Sequence, residues 1–245
     1  MQSEKISIYG ISYNNVTLDE AASLCEELLS EEKNHVVVTP NAEIAYMATK
    51  DKQLGKILNS ADVAVADGIG VVYASKVYGT PVKEKVPGVE LGMRVLENAA
   101  KSRKGVFFLG AKPGVADLAA AKVSEKIPGI NFVGIRDGYF KDDSEVIENI
   151  NASGAEILFV CLGAPKQERW MAENRDKLHT RLMLGLGGSL DVYADTVKRA
   201  PRIFIKLGLE WFYRLMKEPW RFGRMMALPK YMFAVILDRL GRKGK

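Results

Sequence analysis

The chain has 245 residues, 47% of them hydrophobic and 27% charged, which fits a soluble globular protein of one large α/β domain or a domain plus an appendage. Cys25 and Cys161 lie far apart in apolar segments, so they read as buried free thiols of a reducing compartment, not as a disulfide framework. The net charge of +5 hides an asymmetry: residues 198–245 carry 13 Lys and Arg against three acids, a net +10, leaving residues 1–197 at −5.

Residues 1–5 contain no basic stretch leading into an apolar one, so no signal peptide is expected. The longest late apolar run, 231–237, is too short to span a bilayer. A cytoplasmic protein is therefore expected, with peripheral membrane contact left open. His35 and His179 neighbour neither a cysteine nor a carboxylate pair in sequence, so no zinc site is expected.

In chain order, apolar strand-like runs occur at 6–9, 36–39, 63–66, 106–109, 132–135, 157–162 and 182–186. Amphipathic helical patterns separate them, the first opening on the capping box Thr17-Leu18-Asp19-Glu20. This alternation predicts a mostly parallel, Rossmann-like α/β sheet with helices on both faces. Right-handed crossovers then gather the carboxyl ends of the strands on one edge, where ligands bind. Beyond Ala200-Pro201 no strand pattern appears. Helical segments broken by Pro219 and Pro229 mix Trp211, Phe212, Tyr213, Trp220 and Phe222 with Arg202, Arg214, Arg221 and Arg224. The expected division is an α/β domain over 1–197 and a basic helical appendage over 198–245.

Small and polar residues follow the strand runs. Thr39-Pro40-Asn41 follows the second, Asp67-Gly68 the third and Gly110-Ala111-Lys112-Pro113-Gly114 the fourth. The sixth leads into Gly163-Ala164-Pro165-Lys166-Gln167-Glu168, with Pro165 suited to the first turn of a helix. The seventh contains Gly185 and leads into Gly187-Gly188-Ser189. Such glycines allow close backbone approach, and helix starts favour phosphates, so a nucleotide or phosphosugar site is one reading. Each motif also has a purely structural reading. Asp67-Gly68 is a common turn dipeptide, Thr39 and Asn41 suit helix caps, and Lys166 and Arg169 suit a solvated helix face. Gly185-Leu186-Gly187-Gly188 lacks the final glycine of a dinucleotide fingerprint, which is Leu190 here.

The fragments gain meaning as a set. Thr39-Pro40-Asn41-Ala42-Glu43, Ala66-Asp67-Gly68-Ile69-Gly70, Val86-Pro87-Gly88 and the 108–114 stretch run in order. They continue through Pro128-Gly129, Asp137-Gly138-Tyr139-Phe140, the 163–168 motif and Gly187-Gly188-Ser189-Leu190-Asp191. Lys198-Arg199-Ala200-Pro201, Gly208-Leu209-Glu210-Trp211 and Arg214-Leu215 complete the series. This series resembles the TagA/WecG-type bacterial glycosyltransferases over residues 6 to 225. Three positions depart from the usual pattern: Lys85 stands for an arginine, Glu90 for an aspartate and Asp195 for a glycine.

The resemblance implies an inverting transfer of N-acetylmannosamine from UDP-N-acetylmannosamine to undecaprenyl-diphosphate-linked N-acetylglucosamine through a β-1,4 bond, a step in wall teichoic acid synthesis. The alternative donor is another UDP-N-acetylhexosamine or uronic acid, for an exopolysaccharide. In-line displacement needs a base for the acceptor hydroxyl and stabilisation of departing UDP. Asp67 is the candidate base, and Thr39, Asn41 and Gln167 are candidate hydrogen-bond donors and acceptors for the sugar hydroxyls, acetamido group or phosphate. Lys85, Gly110, Gly163, Lys166, Gly187 and Asp191 are the candidate substrate-binding positions. No Asp-x-Asp triplet occurs, so neither a divalent metal nor another cofactor is expected, and Arg214, Arg221 and Arg224 would face the diphosphate. The basic, aromatic appendage fits an anionic membrane surface, or else packing on the main domain or in a homo-oligomer. Two rivals from other classes remain: a nucleotide-binding dehydrogenase, weakened by the missing final glycine at Leu190, and a nucleic-acid module. For the latter, the basic charge is confined to the appendage and no recognised motif accompanies it, so no nucleic-acid partner is expected.

Overall fold

The computed structural model describes residues 3–206, 208–217 and 222–243. The chain opens with β1 (Lys5–Ile8) and β2 (Ile11–Asn14), an antiparallel hairpin outside the main sheet. Its two-residue turn places Tyr9 and Gly10 at φ values of 50° and 82°, as a primed hairpin turn requires. The strand expected at 6–9 therefore exists but pairs with a strand the sequence reading missed. It does not join the parallel sheet.

Next comes α1 (Leu18–Leu29), closed by its capping box: Thr17 Oγ1 accepts from the Glu20 amide at 3.2 Å, and Glu20 Oε2 from the Thr17 amide at 2.8 Å. The chain then alternates through β3 (His35–Val38), α2 (Ala42–Lys50), α3 (Lys52–Ser60), β4 (Val63–Ala64), α4 (Ile69–Tyr78) and α5 (Gly88–Ser102). It continues through β5 (Gly105–Gly110), α6 (Val115–Lys126), β6 (Asn131–Arg136), α7 (Asp143–Ala152) and β7 (Ile157–Cys161). The last units of this series are α8 (Lys166–Asn174), β8 (Leu182–Gly185) and α9 (Ser189–Tyr193).

Six strands form one parallel sheet in the order β4-β3-β8-β7-β5-β6. Apart from the edge strand β6, their runs are mostly apolar at successive residues because both faces are covered. Val36, Val38, Leu158 and Val160 pack on one side with residues of α2, α3, α7 and the hairpin. Val37, Ile157, Phe159 and Leu184 pack on the other with α1, α5, α6 and α9. Cys25 and Cys161 are free and buried, and burial pushes both thiols up to about 12.

At the opposite edge of the sheet from the strand-end motifs, His35 is almost fully buried. Its ring nitrogens lie 3.2 Å from Oε2 of Glu31, four residues earlier, and 3.1 Å from Asp62 Oδ1, which the fold brings up from just before β4. The carboxylates stand against different ring nitrogens and so do not converge on one point.

Beyond residue 197 the chain forms α10 (Arg202–Lys206), α11 (Glu210–Lys217), α12 (Phe222–Met225) and α13 (Ala227–Lys243). Pro229 does not break a helix. It occupies the first turn of α13, where a missing amide proton costs nothing. Pro219 lies outside the described residues. Helix α13 packs on α2 and α4, burying Tyr231 and Val235 completely, while Phe233, Ile236, Leu237 and Leu240 stay exposed. At the crossing, a Cβ on Gly70 would stand 2.7 Å from Ala42 Cβ and 2.5 Å from Leu228 Cδ1. Only glycine lets the three helices approach so closely. Among the described residues, no helix is long and apolar enough to cross a membrane.

Candidate active site

The expected site residues fall along the carboxyl edge of the sheet in neighbouring groups. The first lies where β3 and β4 end. Thr39 is buried and its hydroxyl donates to the Gly185 carbonyl at 3.0 Å, tying this group to the end of β8. Asn41 caps α2, its Oδ1 accepting from the amides of Glu43 and Ile44 at 2.9 and 3.1 Å. Asp67 and Gly68 follow β4, and Gly68 at φ 84° opens α4. A Cβ on Gly68 would lie 3.8 Å from Asn41 Cβ, so the Asp67-Gly68 turn stands directly over the start of α2.

Asp67 is half-buried and immediately precedes Gly68, the N-cap of the ten-residue helix α4. Tyr13 lies beneath, and burial, with Tyr231 and Asp67, pushes its hydroxyl well above the ordinary tyrosine value. The loop carrying Lys85 is held beside Asp67 by the Val86 amide, which donates to the Ala66 carbonyl at 3.0 Å. A Cβ on Gly88 would approach Thr39 Oγ1 to 3.1 Å, so the same loop also rests on Thr39. Lys85, Lys76, Lys83, Ile69, Val72 and Gly208 line part of a cavity of about 390 Å³. Lysines and apolar carbons thus share one wall next to the candidate base.

The second group lies where β7 and β8 end. Pro165 is the N-cap of α8, one place earlier than expected, and Lys166 opens the helix. Gln167 is buried: its Oε1 accepts from the Gly187 amide at 2.9 Å and its Nε2 donates to Glu168 Oε1 at 2.9 Å. Gly163 and Gly187 have φ values of 78° and 56°, and Asp191 lies in the first turn of α9. Gly110 ends β5 at φ 134°, where a Cβ would stand 2.3 Å from the Cys161 carbonyl oxygen. No side chain fits between those two strand ends.

Not every expected residue joins these groups. Lys166 turns toward the loop after β6, donating to the Gly138 carbonyl at 3.3 Å and standing 5.0 Å over the Phe140 ring. Arg169 is partly exposed and reaches away from the strand ends. Its guanidinium pairs with Asp51 and donates to Gln53 Oε1 at 3.3 Å. Arg221 and the side chains of Arg214 and Arg224 lie outside the described residues. Glu168, buried behind Gln167, was not singled out by the sequence reading; an acid beside a glutamine in a first helical turn gives no sign of facing inward. Among the described residues, no group of three His, Cys, Asp or Glu side chains converges as metal ligands would.

A six-stranded parallel sheet flanked by helices, with glycine turns and helix starts at its carboxyl edge, defines an α/β protein of the Rossmann-like class. The chain belongs to the glycosyl transferase WecG/TagA/CpsF family, whose model matches residues 6–245. It is 41% identical over 208 residues to a Bacillus spizizenii protein named N-acetylglucosaminyldiphosphoundecaprenol N-acetyl-beta-D-mannosaminyltransferase, covering 85% of this chain and 81% of that one. A Bacillus subtilis protein of the same name is 36% identical over 244 residues, covering 99% and 94%. A Staphylococcus aureus protein of that name is 34% identical over 234 residues, covering 94% and 92%.

Proposed function

We propose that this enzyme transfers N-acetylmannosamine from UDP-N-acetylmannosamine to undecaprenyl-diphosphate-linked N-acetylglucosamine, with inversion, building the linkage unit of wall teichoic acid. The observation that carries the reading is the pairing of Asp67, at the start of α4, with a glycine-lined strand edge reaching across β8 and β7. The names of relatives aligned over most of the chain support the choice of donor and acceptor.

In the displacement, the acceptor hydroxyl oxygen bonds to the anomeric carbon as the bond from that carbon to the UDP oxygen breaks. Asp67 takes the hydroxyl proton, and UDP leaves with the bonding electrons. Thr39, Asn41 and Gln167 shape the floor, with Gly110, Gly163, Gly187 and Asp191 along the nucleotide. Lys85 and, from the appendage, Arg214, Arg221 and Arg224 offset the charge of the departing diphosphate. Because the sequence has no Asp-x-Asp triplet, these cations take the part that a divalent ion plays elsewhere.

In this reading the enzyme meets its lipid-linked acceptor at the inner face of the cell membrane. The exposed residues Phe233, Ile236, Leu237 and Leu240 recur at helical spacing on α13, in a strongly basic segment, as in a helix that lies in the headgroup region. A panel of UDP-sugars, each offered with one synthetic lipid-linked acceptor and read by mass spectrometry, tests the reaction. The expected product forms from UDP-N-acetylmannosamine and persists in EDTA. A product from a different donor alone would reassign the sugar, and activity restored only by added magnesium or manganese would reassign the cation.

A further inference from the structure

Two adjacent polar side chains at the start of α8 are turned inward: Gln167 is 2% exposed and Glu168 1%. Burying an amide beside a carboxyl is costly unless each polar atom finds a partner. Gln167 does. Its Oε1 accepts the Gly187 amide proton and its Nε2 donates to Glu168 Oε1, both at 2.9 Å. Glu168 Oε2, by contrast, is buried with no hydrogen-bond partner among the described residues. Burial pushes the Glu168 carboxyl above its ordinary value, although the bond from Gln167 pulls the other way. Met or Leu would fill this space without that cost, so packing does not explain a carboxyl here.

What the carboxyl supplies is direction. A glutamine amide has one accepting end and one donating end, and a flip would set Nε2 against the Gly187 N–H, donor against donor. An acceptor at the far end prevents the flip. The turn is also held by the Leu186 amide on the Val160 carbonyl at 3.0 Å and by the Ser189 amide and hydroxyl on the Leu186 carbonyl at 3.2 and 2.7 Å, while the Gly187 N–H at its tip goes to Gln167. Gly187 is at φ 56°, and Gly185 is packed so tightly that a Cβ would stand 2.7 Å from Met171 Cε and 3.2 Å from Gln167 Nε2. The Gly185 carbonyl in turn accepts from Thr39, which links the turn to the Asp67 side of the edge.

We propose that Glu168 is a positioning residue that orients the Gln167 amide, so that Gln167 holds the Gly187 N–H and fixes the Gly185–Ser189 turn against the nucleotide sugar. This rests on the reading of that edge as the donor site.

The test uses full-length Glu168→Gln and Glu168→Met enzymes. Measured are kcat and KM for the UDP-sugar, UDP binding by calorimetry, thermal melting, and hydrogen exchange of the Gly187 amide. Glu168→Gln keeps an acceptor oxygen for Gln167 Nε2, so its kcat stays within about threefold of wild type and Gly187 stays protected. Glu168→Met melts no lower than wild type, yet loses about tenfold or more in kcat and loses protection at Gly187. A merely structural role would instead lower melting and activity together. Wild-type kinetics in Glu168→Met, or equal damage in both variants, would overturn the proposal. If Glu168→Met does not fold, an unprotected Gly187 amide in the wild-type enzyme would overturn it, and protection lost in neither wild type nor Glu168→Gln would support it. Absence of UDP binding by the wild-type enzyme overturns the donor-site reading and this proposal together. Normal UDP binding with any of the adverse results above overturns this proposal alone.

Discussion

The Thr39 hydroxyl donates to the Gly185 carbonyl at 3.0 Å, joining the ends of two neighbouring strands that lie 146 residues apart in sequence. This bond couples the Asp67 side of the carboxyl edge to the Gln167 side. Replacing Thr39 with valine keeps the shape and removes the donor, leaving the buried carbonyl with one partner fewer. Thr39→Val is expected to lose about 1–3 kcal/mol of stability, with Thr39→Ser close to wild type. Urea denaturation at constant slope would measure the difference, and equal midpoints for valine and wild type would contradict it.

Asp67→Asn keeps size and hydrogen-bonding capacity but cannot take the acceptor proton. Sugar transfer is expected to fall by a factor of about 100 to 10,000, the range general base catalysis supplies, with UDP affinity unchanged by calorimetry. Near-normal turnover would remove Asp67 as the base.

Helix α13 has one buried and one exposed apolar face. Tyr231→Ala removes a fully buried ring and is expected to cost about 3–5 kcal/mol. Tyr231→Phe is expected to cost little, because the Tyr231 hydroxyl is buried without a hydrogen-bond partner. On the other face, Phe233→Glu with Leu237→Glu should leave melting unchanged but abolish co-sedimentation with phosphatidylglycerol vesicles. Binding that survives this double substitution would place the membrane contact elsewhere.

The stability of this enzyme is expected to have an acid limb that includes Asp62. Burial raises the Asp62 carboxyl, but the Val36 amide, His35 and Arg175 outweigh it, so the folded value lies below the ordinary one. A lowered folded value contributes stability that is present above the unfolded carboxylate value and is lost as pH falls through the folded one. Asp62→Asn should therefore lower melting at neutral pH and flatten its decline below about pH 4, the ordinary aspartate range. An unchanged acid limb in Asp62→Asn would exclude this site as a contributor.

Much of this architecture was legible in the sequence because strands covered on both faces are apolar at every position, as at Ile157–Cys161. Strand β2 was not, since Ile-Ser-Tyr-Asn is short and polar at alternate places and its turn puts a tyrosine at positive φ. The orientation of α13 was equally hidden. Tyr231 and Val235 share one face and Phe233 and Leu237 another, so periodicity alone does not say which is covered. At the candidate site, glycine turns after strands announced the edge. The partners of Thr39 and Gln167 depend on strand order, and no local pattern encodes that.

Strand order also governs how the protein is made. β8 is the last strand to be synthesised, yet it lies at the centre of the sheet, between β3 and β7. A ribosome that has released only the first 180 residues therefore carries two unjoined half-sheets with an open seam between them. The seam closes when residues 182–185 insert, and only then does Gly185 reach Thr39. Long-range closure of this kind is slow and leaves apolar strand edges uncovered meanwhile.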